Sequence, residues 1–376
     1  MEQRQATVGG VEVAGVRPDF WRGRSVMVTG HTGFKGGWLV AWLLDMGARV
    51  TGLGLAPDTE PSFFERCGLA SRMASLIGDI RDSTVVRTAI DAAQPEVVFH
   101  MAAQPLVRRS YGNPLETFAV NVMGTAHVLD AVRFAPAVRA VVIITSDKCY
   151  ENREWLWGYR ESEPMGGHDP YSASKGCAEL VAAAYRNSYF ATDASSVGVA
   201  TARAGNVIGG GDWAADRLVP DAVRALAGGA VLTVRNPRAV RPWQHVLDPV
   251  SGYLMLAERL HAEGSRWAGA WNFGPSDDAA VPVSLIAELM IKHWGKGRWQ
   301  HLAEAEAPHE AHYLKLDCAK ARALLGWKPA LALEEAIAMT VEWYRAALAT
   351  QRNDLLELTR TQLRRYGQGK AENLVA

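Results

Sequence analysis

Apolar and polar positions alternate in blocks along the N-terminal half of the chain. Short, nearly unbroken apolar runs occupy residues 25–29 (SVMVT), 48–53, 96–100 (EVVFH), 140–145 (AVVIIT) and 196–202. Runs of that length without a polar face predict strands buried on both sides. Between them, residues 34–46, 85–93, 115–134 and 171–190 carry apolar positions at helical spacing. Strands alternating with helices predict a doubly wound parallel sheet with helices on both faces. After Gly205 the rhythm changes. Gly209, Gly210 and Gly211 interrupt the chain, short strands are predicted at 231–234 and 270–273 among helices, and the segment from Ala319 onward is mostly helical. The expected architecture is α/β, with a doubly wound lobe over residues 20–205 and a smaller mixed α/β lobe over residues 206–365. Some segments of the latter return to the first lobe. Residues 1–19 read as an extension and 366–376 as a tail.

A length of 376 residues exceeds what one hydrophobic core normally serves, which agrees with two lobes. Lys+Arg 40 balances Asp+Glu 40, so no overall field draws the molecule to nucleic acid or an anionic membrane. Residues 1–19 lack the apolar centre of a signal peptide, and no uncharged apolar run reaches the ~18 residues of a spanning helix, so a cytoplasmic protein is expected. The cysteines, Cys67, Cys149, Cys177 and Cys318, form no CxxC pair and no metal-ligand spacing. They are expected to be reduced packing residues, and no metal site is expected.

The first strand runs into Gly30-His31-Thr32-Gly33-Phe34-Lys35-Gly36, with three glycines spaced three apart. Such a loop needs one glycine for the tight turn, one for close approach to a pyrophosphate and one to pack helix on strand. The following helix offers free N–H groups and its positive dipole end to phosphates. A Gly-rich turn alone is a weak signal, but strand before and helix after make it a Rossmann-type dinucleotide loop. The acid that would bond a ribose 2′-hydroxyl at the end of the second strand is missing. That region reads Gly52-Leu53-Gly54-Leu55, Asp58 is the first acid, and no arginine is there for a 2′-phosphate. NAD is the favoured cofactor.

Tyr171-Ser172-Ala173-Ser174-Lys175 places a phenol and an ammonium on one helical face, one turn apart. The ammonium favours phenolate and so lowers the phenol's pKa, and a nicotinamide cation adds to this. Such a tyrosine can take a proton from a substrate hydroxyl while hydride leaves for the cofactor. The fourth predicted strand of the series ends in Thr145-Ser146-Asp147-Lys148. The bland alternatives are a surface Tyr/Lys pair and a strand-end turn with a solvated ion pair.

The GxxGxxG spacing resembles the short-chain dehydrogenase/reductase superfamily, in its extended form. Gly78-Asp79-Ile80 is similar to the superfamily's adenine-contacting acid, His100-Met101-Ala102-Ala103 to its cofactor-lining strand end, and Asn121 to its helix-four asparagine. Ser146-Asp147-Lys148 resembles the nucleotide-sugar 4,6-dehydratases, and among them those acting on CDP-glucose, where the dTDP-glucose enzymes carry Thr-Asp-Glu. The likeness runs from about Phe20 to Tyr344. It includes Glu151 through Glu161, Arg203-Ala204-Gly205-Asn206-Val207, Arg235-Asn236-Pro237, Arg241-Pro242-Trp243-Gln244-His245-Val246 and Pro308-His309-Glu310-Ala311-His312-Tyr313.

This resemblance implies conversion of CDP-glucose to its 4-keto-6-deoxy form with NAD. Ser146, Tyr171 and Lys175 are the oxidation residues, with Asp147 as acid and Lys148 as base, or Lys148 as an orienting group. It implies cofactor contacts from Gly30, Thr32, Gly33, Phe34, Lys35, Gly36, Asp79, Ile80, Ala102, Ala103, Tyr171 and Lys175. Substrate contacts fall to Gln104, Asn206, Trp213, Arg235, Arg241, His309 and Tyr313, although Trp213 and His309 serve equally well as structural residues. A homodimer pairing the Leu115 and Tyr171 helices is expected. The rival readings are a 4-epimerase, which has no task for Asp147 and Lys148, a 4,6-dehydratase for another nucleotide, and a non-catalytic nucleotide sensor.

Overall fold

The computed structural model describes residues 15–191, 197–302, 313–350 and 355–373. Seven parallel strands form the central sheet: β1 (Ser25–Thr29), β2 (Arg49–Gly54), β3 (Ala74–Ile77), β4 (Val97–His100), β5 (Ala140–Ile144), β6 (Gly198–Arg203) and β7 (Gly269–Asn272). Their spatial order is β7-β6-β5-β4-β1-β2-β3. Every residue of β4, β5 and β6 is buried, which is why these segments read as nearly unbroken apolar runs. The sequence pattern misses β3. It is a four-residue edge strand with three exposed residues, so it has neither the length nor the burial that makes a pattern. The strand expected at 270–273 belongs to this sheet, pairing in register from Gly269 with Ala200 to Asn272 with Arg203.

The long connection between β6 and β7 carries much of the smaller α/β part. Val207–Ile208 pairs with Gln244–His245, Val240–Pro242 with Ala280–Pro282, and Leu232–Val234 with Trp299–His301. The C-terminal helices come back onto the first lobe. The Trp38 ring stacks on Phe63 at 5.0 Å, and Phe63 on Trp343 at 5.6 Å, contacts worth about 0.5–1.5 kcal/mol each beyond area burial. Gly210 is needed for that packing, because a Cβ there would meet the Trp343 ring at 2.1 Å.

Sheet order reverses between β1 and β4, so their following segments leave to opposite sides and open a crevice at the strands' carboxyl ends. The long helix expected at 115–134 is Pro114–Phe118, a π turn over Ala119–Met123, and Gly124–Val132. Such turns are frequent at functional sites. Here the turn carries Asn121, whose Nδ2 donates to Ser174 Oγ at 2.8 Å and to the Gln104 carbonyl at 3.1 Å.

Candidate active site

The crevice is a cavity of about 860 Å³. It is lined by the glycine loop, the Met101–Leu106 segment, the Thr145–Lys148 turn, Tyr171, Lys175 and the 204–221 and 233–241 segments of the smaller part. Gly30 has φ +73°, and a Cβ there would meet the Ala102 backbone nitrogen at 2.6 Å. A Cβ on Gly36 would meet the Gly30 carbonyl oxygen at 2.2 Å, so both glycines serve the turn and the close packing of helix on strand. Gly33 is different. It is the N-cap of the Phe34–Asp45 helix with no side-chain cap, and a Cβ there meets protein no nearer than 3.4 Å. The space it leaves lies on the cavity wall, beside uncapped helical N–H groups. This cradle fits the pyrophosphate of a dinucleotide.

Thr32, Phe34, Lys35, Asp79, Ile80, Ala102 and Ala103 also line the cavity. Burial, with Lys175 and Arg217 nearby, pushes the Lys35 ammonium down to about 8. Asp79 is held by Arg81, whose Nε donates to it at 2.8 Å, and this bond keeps the carboxyl below its usual range. Glycine within β2, two residues before its end, has a structural reason. A Cβ on Gly52 would meet the buried His31 ring at 2.3 Å, and the His31 Nε2 pairs with Ser75 Oγ at 2.7 Å. Asp58, beyond that strand, reaches the cavity wall.

Helix Pro170–Tyr185 begins with Asp169 accepting the Ser172 N–H at 3.0 Å and with Pro170 at its first position. That start brings Tyr171 and Lys175 to the cavity from consecutive turns. Ser146 caps the one-turn helix Asp147–Cys149 that follows β5. Its Oγ accepts the Lys148 N–H at 3.3 Å and donates to Asp147 Oδ1 at 3.0 Å, and the Tyr171 phenol faces the same Ser146. Tyr171, Ser146 and Asp147 thus stand next to one another on the cavity wall, with half-buried Lys148 beside them. Lys175 Nζ donates to the Ile144 carbonyl at 3.3 Å.

Burial pushes the Lys175 ammonium down to about 8, with Cys149 and Glu179 pulling it up. The sequence argument for a depressed Tyr171 phenol is corrected here. Burial dominates and pushes it up to about 12, the Ser146 bond only partly opposing this.

On the far wall, Asn206 adopts φ +49°, a left-handed conformation that asparagine tolerates, and its carbonyl accepts the Gln244 N–H at 3.2 Å. Arg235 and Arg241 line the cavity, Arg235 with Nη1 3.1 Å from Asp216 Oδ1. Gln104 lines it too, but its amide is spent on the local loop: Nε2 donates to Thr117 Oγ1 at 2.9 Å and Oε1 accepts the Leu106 N–H at 2.7 Å. Trp213 and Tyr313 do not line the cavity. The Trp213 ring stands edge-on to Tyr344 at 5.0 Å, and the Tyr313 hydroxyl is 3.4 Å from the Leu156 carbonyl. His309 lies outside the described residues. Sequence reasoning missed Arg217, which lines the cavity, pairs with Asp212 at 2.8 Å and acts electrostatically on Tyr171. A lone arginine in a loop gives no pattern by which to find it.

The GDP-mannose 4,6 dehydratase family model matches residues 27–340. The chain is 55% identical over 331 residues to the CDP-glucose 4,6-dehydratase of Salmonella typhimurium, covering 87% of this chain and 92% of that one. It is 28% identical to the dTDP-glucose 4,6-dehydratase of Xanthomonas campestris, covering 85% and 92%. Among solved structures, the dTDP-glucose 4,6-dehydratase of Streptomyces venezuelae, with NAD and TYD bound, superposes with a TM-score of 0.73 at 26% identity, covering 86% of this chain and 98% of that one. The glycine cradle, the Tyr171/Lys175 helix and these likenesses agree, and the chain belongs to the GDP-mannose 4,6 dehydratase family of extended short-chain dehydrogenases.

Proposed function

We propose that the chain converts CDP-glucose to CDP-4-keto-6-deoxyglucose with loss of water, using NAD. One observation carries the reading: Asp147 and Lys148 stand on the turn directly after Ser146, in the wall of the cavity that also holds Tyr171 and Lys175. Hydride transfer alone needs a phenol, an ammonium and a hydroxyl. Two further proton-transfer groups have work only where a C–H and a C–OH bond are also broken. The 55% identity to an enzyme named for CDP-glucose supports the choice of base.

The glycine cradle, Asp79, Ile80, Ala102 and Ala103, with Tyr171 and Lys175, hold NAD, which when bound accepts a hydride from carbon 4 of the sugar and returns it to carbon 6. Ser146 Oγ orients the carbon 4 hydroxyl and the Tyr171 oxygen takes its proton. Oxidation at carbon 4 makes the hydrogen on carbon 5 acidic. Lys148 Nζ, acting neutral, removes it, and Asp147, acting protonated, gives its proton to the departing carbon 6 hydroxyl. Lys148 then returns a proton to carbon 5, so that one water is lost in all. Arg235 and Arg241, joined by Arg217, neutralise the substrate diphosphate, and Asn206 and Gln104 shape the sugar site. His309 and Tyr313 are assigned to the closing of the pocket on the family resemblance alone, and Trp213, turned toward Tyr344, is assigned to packing.

The protein works as a cytoplasmic homodimer in this reading. Leu115, Met123, Leu180 and Tyr189 expose large apolar surface on the two helices expected to pair. Among the described residues no helix is long and apolar enough to cross a membrane.

The test is incubation of purified protein and NAD with CDP-, dTDP-, UDP- and GDP-glucose, following product mass. Loss of one water from CDP-glucose alone, with no net reduced cofactor, is the expected result. Loss from another nucleotide sugar overturns the base choice, and epimerisation without water loss overturns the dehydratase reading.

A further inference from the structure

The turn that carries Ser146, Asp147 and Lys148 is tied at both ends to one buried ion pair that lies behind the cavity wall. Glu179 follows Lys175 by four residues, so it stands on the same helical face one turn further on. Arg203 closes β6. The side chains are 5% and 4% exposed, and neither lines the cavity. Arg203 forks onto the carboxylate, Nε to Oε1 at 2.9 Å and Nη2 to Oε2 at 2.7 Å. The carboxylate also accepts Thr145 Oγ1 at 2.5 Å and Thr201 Oγ1 at 2.7 Å. The remaining Arg203 nitrogen, Nη1, donates to the Tyr150 hydroxyl at 2.6 Å and to the Glu161 carbonyl at 3.2 Å.

Thr145 immediately precedes Ser146, and Tyr150 immediately follows Cys149. Each half of the ion pair therefore holds one end of the turn. Two residues beyond Arg203, Gly205 receives the Asp147 carboxylate so closely that a Cβ there would meet Oδ2 at 1.9 Å. The end of β6 thus fixes both the turn and its acid.

Stability is a poor reason for this arrangement. Desolvating two charges offsets most of their attraction, and well-packed apolar residues in their place are often no less stable. Burial alone would push the Glu179 carboxyl up. The Arg203 bond and charge, with the two threonines, outweigh it and hold the group below its usual range. Every acceptor position of a fully desolvated carboxylate is used, which fixes geometry tightly.

We propose that Glu179 and Arg203 are positioning residues of the reaction, which set Ser146, Asp147 and Lys148 in register against Tyr171 and Lys175 without touching substrate or cofactor. This rests on the dehydratase reading above. Thr145 and Thr201 separate positioning from plain support, because both bond the same carboxylate and only Thr145 is joined to the turn. Glu179 is also an anion facing Lys175. The other groups around that ammonium are Cys149 from the turn, Lys35 from the glycine loop, His100 from the end of β4 and Tyr171 one helical turn back.

The experiment compares Thr145→Val, Thr201→Val and Glu179→Gln with wild type, holding NAD, for water loss from CDP-glucose and for melting temperature. Thr145→Val is expected to lower kcat by about tenfold or more with little change in KM, and Thr201→Val to leave kcat within about twofold at a similar melting temperature. Glu179→Gln is expected to move the alkaline limb of the kcat profile to lower pH by roughly one unit, because the anion that keeps Lys175 charged is gone. Equal kcat effects from the two threonine variants, or an unmoved alkaline limb in Glu179→Gln, overturn the proposal while leaving the dehydratase reading intact. Failure of the wild type to dehydrate any nucleotide sugar overturns both.

Discussion

Ser146 Oγ donates to Asp147 Oδ1 at 3.0 Å while facing the Tyr171 phenol. This arrangement has a consequence for the proton count. In the proposed reaction, Tyr171 gains the proton of the carbon 4 hydroxyl over one cycle and Asp147 gives one to the departing water. The serine hydroxyl, already pointing at Asp147, connects the group in surplus with the group in deficit. Ser146→Ala should therefore lower kcat for water loss by about a hundredfold with little change in KM, and Ser146→Thr should retain most of it. Unchanged kcat in the alanine variant would remove the serine from the mechanism.

Gly205→Ala tests the seat of the acid. Gly205 has no left-handed backbone, so alanine fits the chain there, but its Cβ would meet Asp147 Oδ2 at 1.9 Å. The carboxylate must swing away. We expect kcat to fall by about a hundredfold, and Gly205→Ala combined with Asp147→Asn to be no slower than Asp147→Asn alone, because both changes remove the same group. Additive losses in the double variant would show that the glycine acts elsewhere.

The central sheet was legible where burial is complete. The β4, β5 and β6 segments are buried throughout, and their strands fall within a residue or two of the expected positions. Strand β3 was not legible, because an exposed four-residue edge leaves no periodicity. The glycine loop, the Tyr171/Lys175 spacing and the Ser146–Lys148 turn are local patterns, and the structure gathers all of them on one cavity. What sequence spacing could not give is long-range. Arg217 meets the cavity from a loop of the smaller part, and Trp213 turns toward Tyr344 instead. The direction of the Tyr171 shift also depended on burial, which neighbours in sequence do not reveal.

The three loop glycines should separate by function. Gly36→Ala drives a Cβ to 2.2 Å from the Gly30 carbonyl oxygen, so it should destabilise the fold outright. Gly33→Ala meets protein only at 3.4 Å and should fold normally. Its methyl occupies the phosphate cradle, so NAD affinity should fall by about tenfold or more, as read by calorimetric titration. Normal NAD binding by Gly33→Ala would place the cofactor pyrophosphate elsewhere.

Three buried histidines give the fold a defined acid sensitivity. Burial holds His31 at about 4, and His100 and His245 at about 3. All three are neutral inside the protein. His100 is bound by Thr29 Oγ1 at 2.7 Å and Thr125 Oγ1 at 3.1 Å, and His245 Nδ1 accepts the Leu247 N–H at 3.3 Å. In the unfolded chain each titrates near the ordinary value of 6.5. Below that pH the unfolded chain binds protons that the folded one cannot. The stability these groups contribute is therefore complete above about pH 6.5 and is lost as pH falls toward the folded values, at roughly 1.4 kcal/mol per histidine for each pH unit. The urea midpoint should drop steeply between about pH 7 and about pH 5. His245→Asn, which keeps an acceptor for the Leu247 N–H, should lower stability at neutral pH yet flatten that slope by about one proton. A wild-type midpoint that does not change over this range would mean that the buried imidazoles are solvated well enough to take up their protons.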